Sequence, residues 1–285
     1  MFDQTHDTLL RAENVARSGS VNGVLKQLRA LGFGDFARFM WSLPDPRFSG
    51  LSTMLPAMAT DEAQRNRSGN FGPVLRDQTV DFCRIMALYF QRITGRSLDH
   101  QRILDFGFGY GRMARMMYWF TDPDSYCGVD PMQESLDICS NDRMLGQFKK
   151  INYVEPDFDV EGGRFDLIFA YSVFTHTPEK ITHLALRALR RHVRNNGLLV
   201  ITIRPVEYWR DDHGASPEQR EASVLAHRTT GYAFRDHGYE VGGEQIYGET
   251  SMSLEWLAQN HPEWEIVAHD RGIDPNQTIV FLTPQ

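Results

Sequence analysis

Residues 102–120 read RILDFGFGYGRMARMMYWF, and the order of residue types in them decides the fold. A short apolar run, Ile103-Leu104, ends in Asp105. Glycines follow at alternate positions, Gly107, Gly109 and Gly111. The run Arg112 to Phe120 is amphipathic and predicts a helix. Strand, glycine turn and helix open a nucleotide-binding α/β unit. The chain must turn sharply at the strand's end, and a ligand must lie against bare backbone where a Cβ would obstruct it. The helix start then presents free N–H groups to polar ligand atoms.

Glycine spacing separates two kinds of loop. A dinucleotide-binding loop reads G-x-G-x-x-G. Here the third glycine comes one residue early, and Arg112 stands where that motif needs glycine. The pattern Asp105-x-Gly107-x-Gly109-x-Gly111 resembles motif I of the class I S-adenosyl-L-methionine (SAM) methyltransferases. In that family the loop lies against the amino-acid part of SAM. The resemblance makes Asp105, Gly107, Gly109, Gly111 and Arg112 candidate cofactor residues. Glycine-rich turns also occur in other strand–helix connections, so the motif needs support from the rest of the chain.

Downstream, Tyr126–Val129 predicts a second strand closing on Asp130. The interval from Gly107 is close to the ~20 residues expected of an acid that grips a ribose. Its two oxygens can accept both hydroxyls of a diol. NAD would be held the same way, so Asp130 does not separate the two cofactors. Pro131 suits the first position of the next helix, and Pro131 and Met132 join the candidate cofactor set. A third strand is expected over residues 148–153, followed by Glu155-Pro156-Asp157-Phe158. The resemblance puts an acid and an apolar residue around adenine here, which assigns Asp157 to the exocyclic amine and Phe158 to the ring. Upstream, Val80, Cys83, Met86, Ala87, Phe90 and Ile93 mark one stripe of a helix over 74–94 ended by Gly95. Arg76, near its start, has two readings: a partner for the SAM carboxylate, or a solvated helix end.

A fourth strand, Phe165–Ala170, leads into Tyr171-Ser172-Val173-Phe174-Thr175-His176-Thr177-Pro178. This segment resembles motif IV and its sequel in small-molecule methyltransferases, nearest to those acting on sugars and natural-product hydroxyls. The D/N-P-P-Y/F signature of nucleobase amino-methyltransferases is absent. Tyr171 goes with the cofactor and Phe174 with the acceptor. His176 is the one residue here suited to general-base work near pH 7. Its alternative role is to cap the next helix or bond backbone near the cofactor. An amphipathic helix over 178–194, a turn at Asn195-Asn196-Gly197 and a branched apolar strand, Leu198–Ile203, follow. Residues 206–250 then form an insertion on the acceptor side, with a helix starting at Ser216-Pro217-Glu218. Its aromatic rings with hydroxyl tips, Tyr208 and Tyr247, suit acceptor contacts. Asp211, Asp212, His213, His227 and His237 match no metal-ligand spacing, and no metal is expected.

The tail predicts a helix over Ser253–Asn260 and two strands, Glu265–His269 and Thr278–Leu282. An antiparallel hairpin closing the sheet is the methyltransferase pattern, whereas a nucleotide dehydrogenase would continue with a parallel crossover. Residues 1–75 read as a helical N-terminal cap or lid. Val21, Val24, Leu25, Leu28 and Leu31 lie at helical spacing behind Ser20, Asp35 caps a second helix, and 44–73 is loop with short turns.

Composition sets outer bounds. The chain has 285 residues, 41% of them hydrophobic, and a formal net charge of -7 without a long basic run. Nucleic acid is therefore a poor partner. Three scattered cysteines, Cys83, Cys127 and Cys139, form no disulfide or zinc pattern and suit a reducing cytoplasm. The N-terminus lacks a signal core, and no run of about 18 apolar residues predicts a membrane span. The expectation is an α/β, Rossmann-like methyltransferase sheet with an antiparallel last strand. A helical cap covers 1–75 and the SAM-dependent domain 76–285. The expected reaction is methyl transfer to a small-molecule acceptor, most simply a hydroxyl of a sugar or natural product. Alternatives are small-molecule N-methylation, an NAD-dependent oxidoreductase and a non-catalytic SAM-binding protein. Assembly as a homo-oligomer stays open.

Overall fold

The computed structural model describes residues 2–285 except 18, 155–157, 161–162 and 273. Two compact units divide it, residues 1–150 and 151–285.

The first unit begins with helices: α1 (Phe2–Ala16), α2 (Val21–Leu28), α3 (Phe33–Trp41), α4 (Ser49–Met54) and α5 (Asp61–Ser68). Ser20 caps α2 by accepting from Gly23 N–H, as expected. Two expectations need correction. Asp35 does not cap α3; Gly32 does, and Asp35 lies in the first turn, where it pairs with Arg38. Residues 44–73 are more helical than loop. Side-chain capping by Thr60, which accepts from Ala63 N–H, starts α5 despite its polar composition. Next comes α6 (Gly72–Thr94), ended by Gly95 in the left-handed region. Strands β1 (Ile103–Phe106), β2 (Tyr126–Asp130) and β3 (Gln147–Lys150) pair parallel in the order β3-β2-β1, with α7 (Arg112–Met117) and α8 (Gln133–Asn141) between them. Every residue of β1 and β2 is buried, as interior parallel strands require. Helix α7 stops at Met117 instead of Phe120 because Trp119 and Phe120 N–H turn back to the carbonyls of Met116 and Met117. Pro131 does not open α8, which starts two residues later with Met132 as its cap. The third strand is shorter and earlier than 148–153.

The second unit contains β4 (Phe165–Ala170), α9 (Glu179–His192), β5 (Val193–Ile203), α10 (Pro217–Thr230), β6 (Tyr232–Val241), β7 (Glu244–Met252), α11 (Leu254–Asn260), β8 (Trp264–Asp270) and β9 (Thr278–Pro284). Strands β4 and β5 are parallel; β9 runs antiparallel to both β5 and β8, giving β4-β5-β9-β8. The antiparallel closing hairpin is therefore present. The turn expected at 195–197 is instead an irregular stretch inside β5. Phe165 pairs with Val193 and Leu167 with Leu198, so the intervening residues loop out of register. A Cβ at Gly197 would come within 3.0 Å of the Arg194 and Asp166 carbonyl oxygens. Ser216 and Gln219 form a full capping box on α10.

Strands β6 and β7 form a separate two-stranded ribbon, which the sequence does not signal. Its second strand is tied down by backbone bonds. Gly248 N–H donates to His176 O (3.0 Å), Thr250 N–H to Thr175 O (2.9 Å) and Met252 N–H to Arg204 O (3.1 Å). Among the described residues no helix is long and apolar enough to cross a membrane.

Candidate functional site

In the first unit the glycine loop and Asp130 meet. Gly107 N–H donates to Val129 O at 2.7 Å and stitches the loop onto β2. Gly109 N–H donates to Asp130 Oδ2 at 2.9 Å, and Met132 N–H to Oδ1 at 2.8 Å. Asp130 thus fixes the loop before any ligand arrives, with the Ser135 hydroxyl also stabilising its carboxylate. All three glycines have positive φ, 84°, 58° and 74°, but two of them serve different ends. A Cβ on Gly109 would meet nothing within 4 Å, so that stretch of backbone faces open space. A Cβ on Gly111 would strike Met144 Cε at 2.8 Å and Cys139 Sγ at 3.3 Å, so Gly111 is a packing glycine. An open backbone face beside a buried, preorganised carboxylate fits the polar half of a nucleoside cofactor such as SAM.

The remaining first-unit candidates occupy distinct places. Asp105 is buried and accepts from the Tyr126 hydroxyl at 2.7 Å. Burial pushes its carboxyl up to about 7, against that hydrogen bond. Burial likewise raises Asp130, opposed by the Met132 and Gly109 N–H groups. Arg112 turns to α6, where Nη1 donates to Gln78 Oε1 (3.3 Å) and Thr79 Oγ1 (3.2 Å). Arg76 pairs with its neighbour Asp77 at 2.9 Å. Pro131 and Met132 follow Asp130, and Met132 keeps 38% of its surface exposed. Asp157 lies outside the described residues.

The raised carboxyl of Asp105 carries a pH signature. The folded chain holds this proton more tightly than the unfolded chain, so the associated stability is full below about pH 4 and is lost as pH rises through about 7. Asp105→Asn should raise the melting temperature at pH 8 more than at pH 5. Thermal scans at the two pH values check this, and equal shifts would contradict the assignment.

In the second unit, the end of β5 and the strand β7 assemble a polar cluster. Arg204 follows Ile203 directly and is largely buried. Its Nη1 donates to Thr175 O at 2.7 Å and to Glu249 Oε2. The Tyr208 hydroxyl donates to the same Glu249 oxygen at 2.9 Å, and the Arg204 guanidinium lies 4.0 Å from the Tyr208 ring centroid. His237 Nε2 approaches Glu249 Oε1 at 3.6 Å. His176 Nδ1–H donates to Gly248 O at 2.8 Å, which leaves the lone pair on Nε2, with Arg204 Nη2 3.4 Å away. Tyr247 stacks on His176, centroids 4.8 Å apart and planes 11° from parallel. Burial first, and the Arg204 charge second, push the imidazole down to about 3. His176 is therefore neutral at ordinary pH and does not titrate near 7 as the sequence suggested.

Phe174 is fully buried and presents no surface to an acceptor. Tyr171 is half-buried just past β4. Phe158 stacks on His192, centroids 4.1 Å apart, so one ring face is covered. Asp212 pairs with Arg235 at 2.7 Å and His227 with Ser251 Oγ at 2.7 Å. Among the described residues no group of three or more His, Cys, Asp or Glu could hold a metal. Sequence reasoning missed Arg204 and Glu249. Arg204 carried a usable signal, a cation at the C-terminal end of an apolar parallel strand, where α/β folds bind ligands. Glu249 carried none, because its place depends on the β6–β7 pairing.

Comparison with known proteins places this geometry in context. A family model described as a methyltransferase domain matches residues 78–259. An S-adenosylmethionine-dependent methyltransferase from Clostridium acetobutylicum superposes with a TM-score of 0.52 at 11% identity, covering 78% of this chain and 96% of that one. That likeness shows a shared fold, the Rossmann-like α/β architecture. Weaker likenesses include DhpI in complex with SAH (TM-score 0.49, 14% identity, 79% and 92% coverage) and the glycopeptide N-methyltransferase MtfA with sinefungin (0.47, 10%, 70% and 92%). No curated protein matches the sequence.

Proposed function

The chain belongs to the methyltransferase-domain family, with SAM as its methyl donor, and from that premise we propose that it methylates a hydroxyl of a small sugar-like or natural-product acceptor. When bound, SAM supplies a methyl group on a sulfonium leaving group. Asp130 would take the ribose hydroxyls and the Gly107–Gly111 backbone the amino-acid end. The observation that carries the acceptor reading is the stacked Tyr247–His176 pair beside the Arg204–Glu249–Tyr208 network. Aromatic faces and fixed hydrogen-bonding groups suit a hydroxylated ring. The Nδ1–H bond to Gly248 O holds the tautomer of neutral His176, and its Nε2 accepts from Arg204 Nη2 at 3.4 Å; an acceptor hydroxyl would displace that long bond, orient on Nε2 and give up its proton to solvent as the methyl group transfers. Because donor chemistry is already activated, most of the protein's contribution is alignment of oxygen, carbon and sulfur.

Family membership speaks against a nicotinamide-dependent dehydrogenase. The acceptor reading is tested by incubating the enzyme and SAM with sugars, phenols and amines and detecting methylated products by mass. O-methylated products are expected, with His176→Gln retaining more turnover than His176→Ala. Methylation confined to amines would overturn the hydroxyl reading, and an unchanged His176→Ala rate would remove His176 from the mechanism.

A further inference from the structure

The helical N-terminal segment reaches the cofactor loop itself. Tyr110, between Gly109 and Gly111, is buried with Ala59 and Leu75, and Trp41, Met58, Ala63 and Ile138 pack against them. Buried Arg115 donates from Nε to Ala57 O at 3.0 Å and from Nη1 to Tyr110 O at 2.6 Å, joining the same two segments. Gln64 braces the segment between them. Its Nε2 donates to Ala59 O at 2.7 Å, and its Oε1 accepts from Gly72 N–H at 3.0 Å. Helix α5 is therefore held in one position against the nucleotide loop.

At the end of α5 stands Arg67. Its side chain is only 15% exposed, although α5 is polar and charged side chains normally seek solvent. It points to the turn after Asp130. Nη2 lies 2.6 Å from Glu134 Oε2, and Nη1 donates to Met132 Sδ at 3.0 Å. Asp130 already holds Met132 by its backbone N–H. The turn is thus gripped on its backbone by Asp130 and on its side chains by a residue from the N-terminal helices. Glu134 is 70% exposed, so this ion pair contributes little to folding stability. Its effect falls on the geometry of the turn.

We propose that Arg67 is a positioning residue of the cofactor site: by holding Met132 and Glu134 it sets the shape of the turn that receives the adenosyl half of SAM. This rests on the SAM reading above. The cap is then part of the cofactor site as well as a cover for the fold.

The test is calorimetric titration of the full chain with S-adenosylhomocysteine and with 5′-methylthioadenosine, which lacks the amino-acid end. Arg67→Ala should weaken both by about fivefold, the upper range for an ion pair this open, with an unchanged melting temperature. The charge swap R67E/E134R should recover most of the loss. Wild-type affinity in Arg67→Ala overturns the proposal alone. So does weakening of S-adenosylhomocysteine without weakening of 5′-methylthioadenosine, or a swap that recovers nothing. Failure of the unaltered chain to bind S-adenosylhomocysteine overturns the SAM reading and this proposal with it.

Discussion

Replacing Asp130 with alanine is expected to weaken S-adenosylhomocysteine binding by about a hundredfold while leaving the melting temperature nearly unchanged. If Asp130 takes both ribose hydroxyls as proposed, two charge-assisted hydrogen bonds at about 1.5 kcal/mol each, the low end, account for that factor. The loop also loses the acceptor for Gly109 and Met132 N–H. Stability responds differently. Burial raises the Asp130 carboxyl, so the folded state carries a penalty once pH rises above that group's folded value. Removing the carboxylate relieves this penalty at pH 8 and offsets the lost backbone bonds. Calorimetric titration beside a thermal scan measures both. Intact affinity with a large drop in melting temperature would mean that Asp130 is a structural acid.

Arg115→Met is expected to cost about 3–5 kcal/mol of stability, or about 10 °C in melting temperature for a chain of this size. The guanidinium is fully buried and satisfies Ala57 O, Tyr110 O and Asp142 Oδ2 together. Methionine preserves apolar volume but leaves two carbonyls without this donor and a half-buried carboxylate without its cation. Because Tyr110 sits between two loop glycines, cofactor affinity should fall alongside stability. Denaturant titration gives the energy. A loss below about 1 kcal/mol would show that water replaces the guanidinium at this seam.

The two effects separate the functions of the glycine loop. Asp130 acts on its open side, where a Cβ at Gly109 would meet nothing. Arg115 acts on its packed side, where the N-terminal segment covers Tyr110. One loop thus has an open face and a core face only a residue apart. A substitution at either glycine carries the backbone strain of a positive φ, about 1 kcal/mol; at Gly111 a steric clash with Met144 adds to it, whereas at Gly109 nothing else in the chain is displaced.

The parts legible in the sequence are those set by neighbours along the chain. Alternating glycines after Ile103-Leu104-Asp105, the largely apolar Phe165–Ala170 strand and the Ser216-Pro217 helix start each depend on local backbone preference and burial period. The antiparallel Thr278–Pro284 strand was also foreseeable, because the loop before it is too short for a crossover helix. Tertiary structure decided what depends on distant partners. Glu249 becomes the hub of Arg204, Tyr208 and His237 only because β6 and β7 pair and β7 bonds to Thr175 and His176. His176 loses its proton affinity through burial and the Arg204 charge, neither of which is visible in its sequence neighbourhood. Arg67 reaches Glu134 across 67 positions of chain. Local propensity acts over a few residues, whereas desolvation and charge act through space, so the sequence by itself determined the scaffold and the glycine loop, and the fold determined the electrostatics of the Arg204–Glu249–His176 cluster.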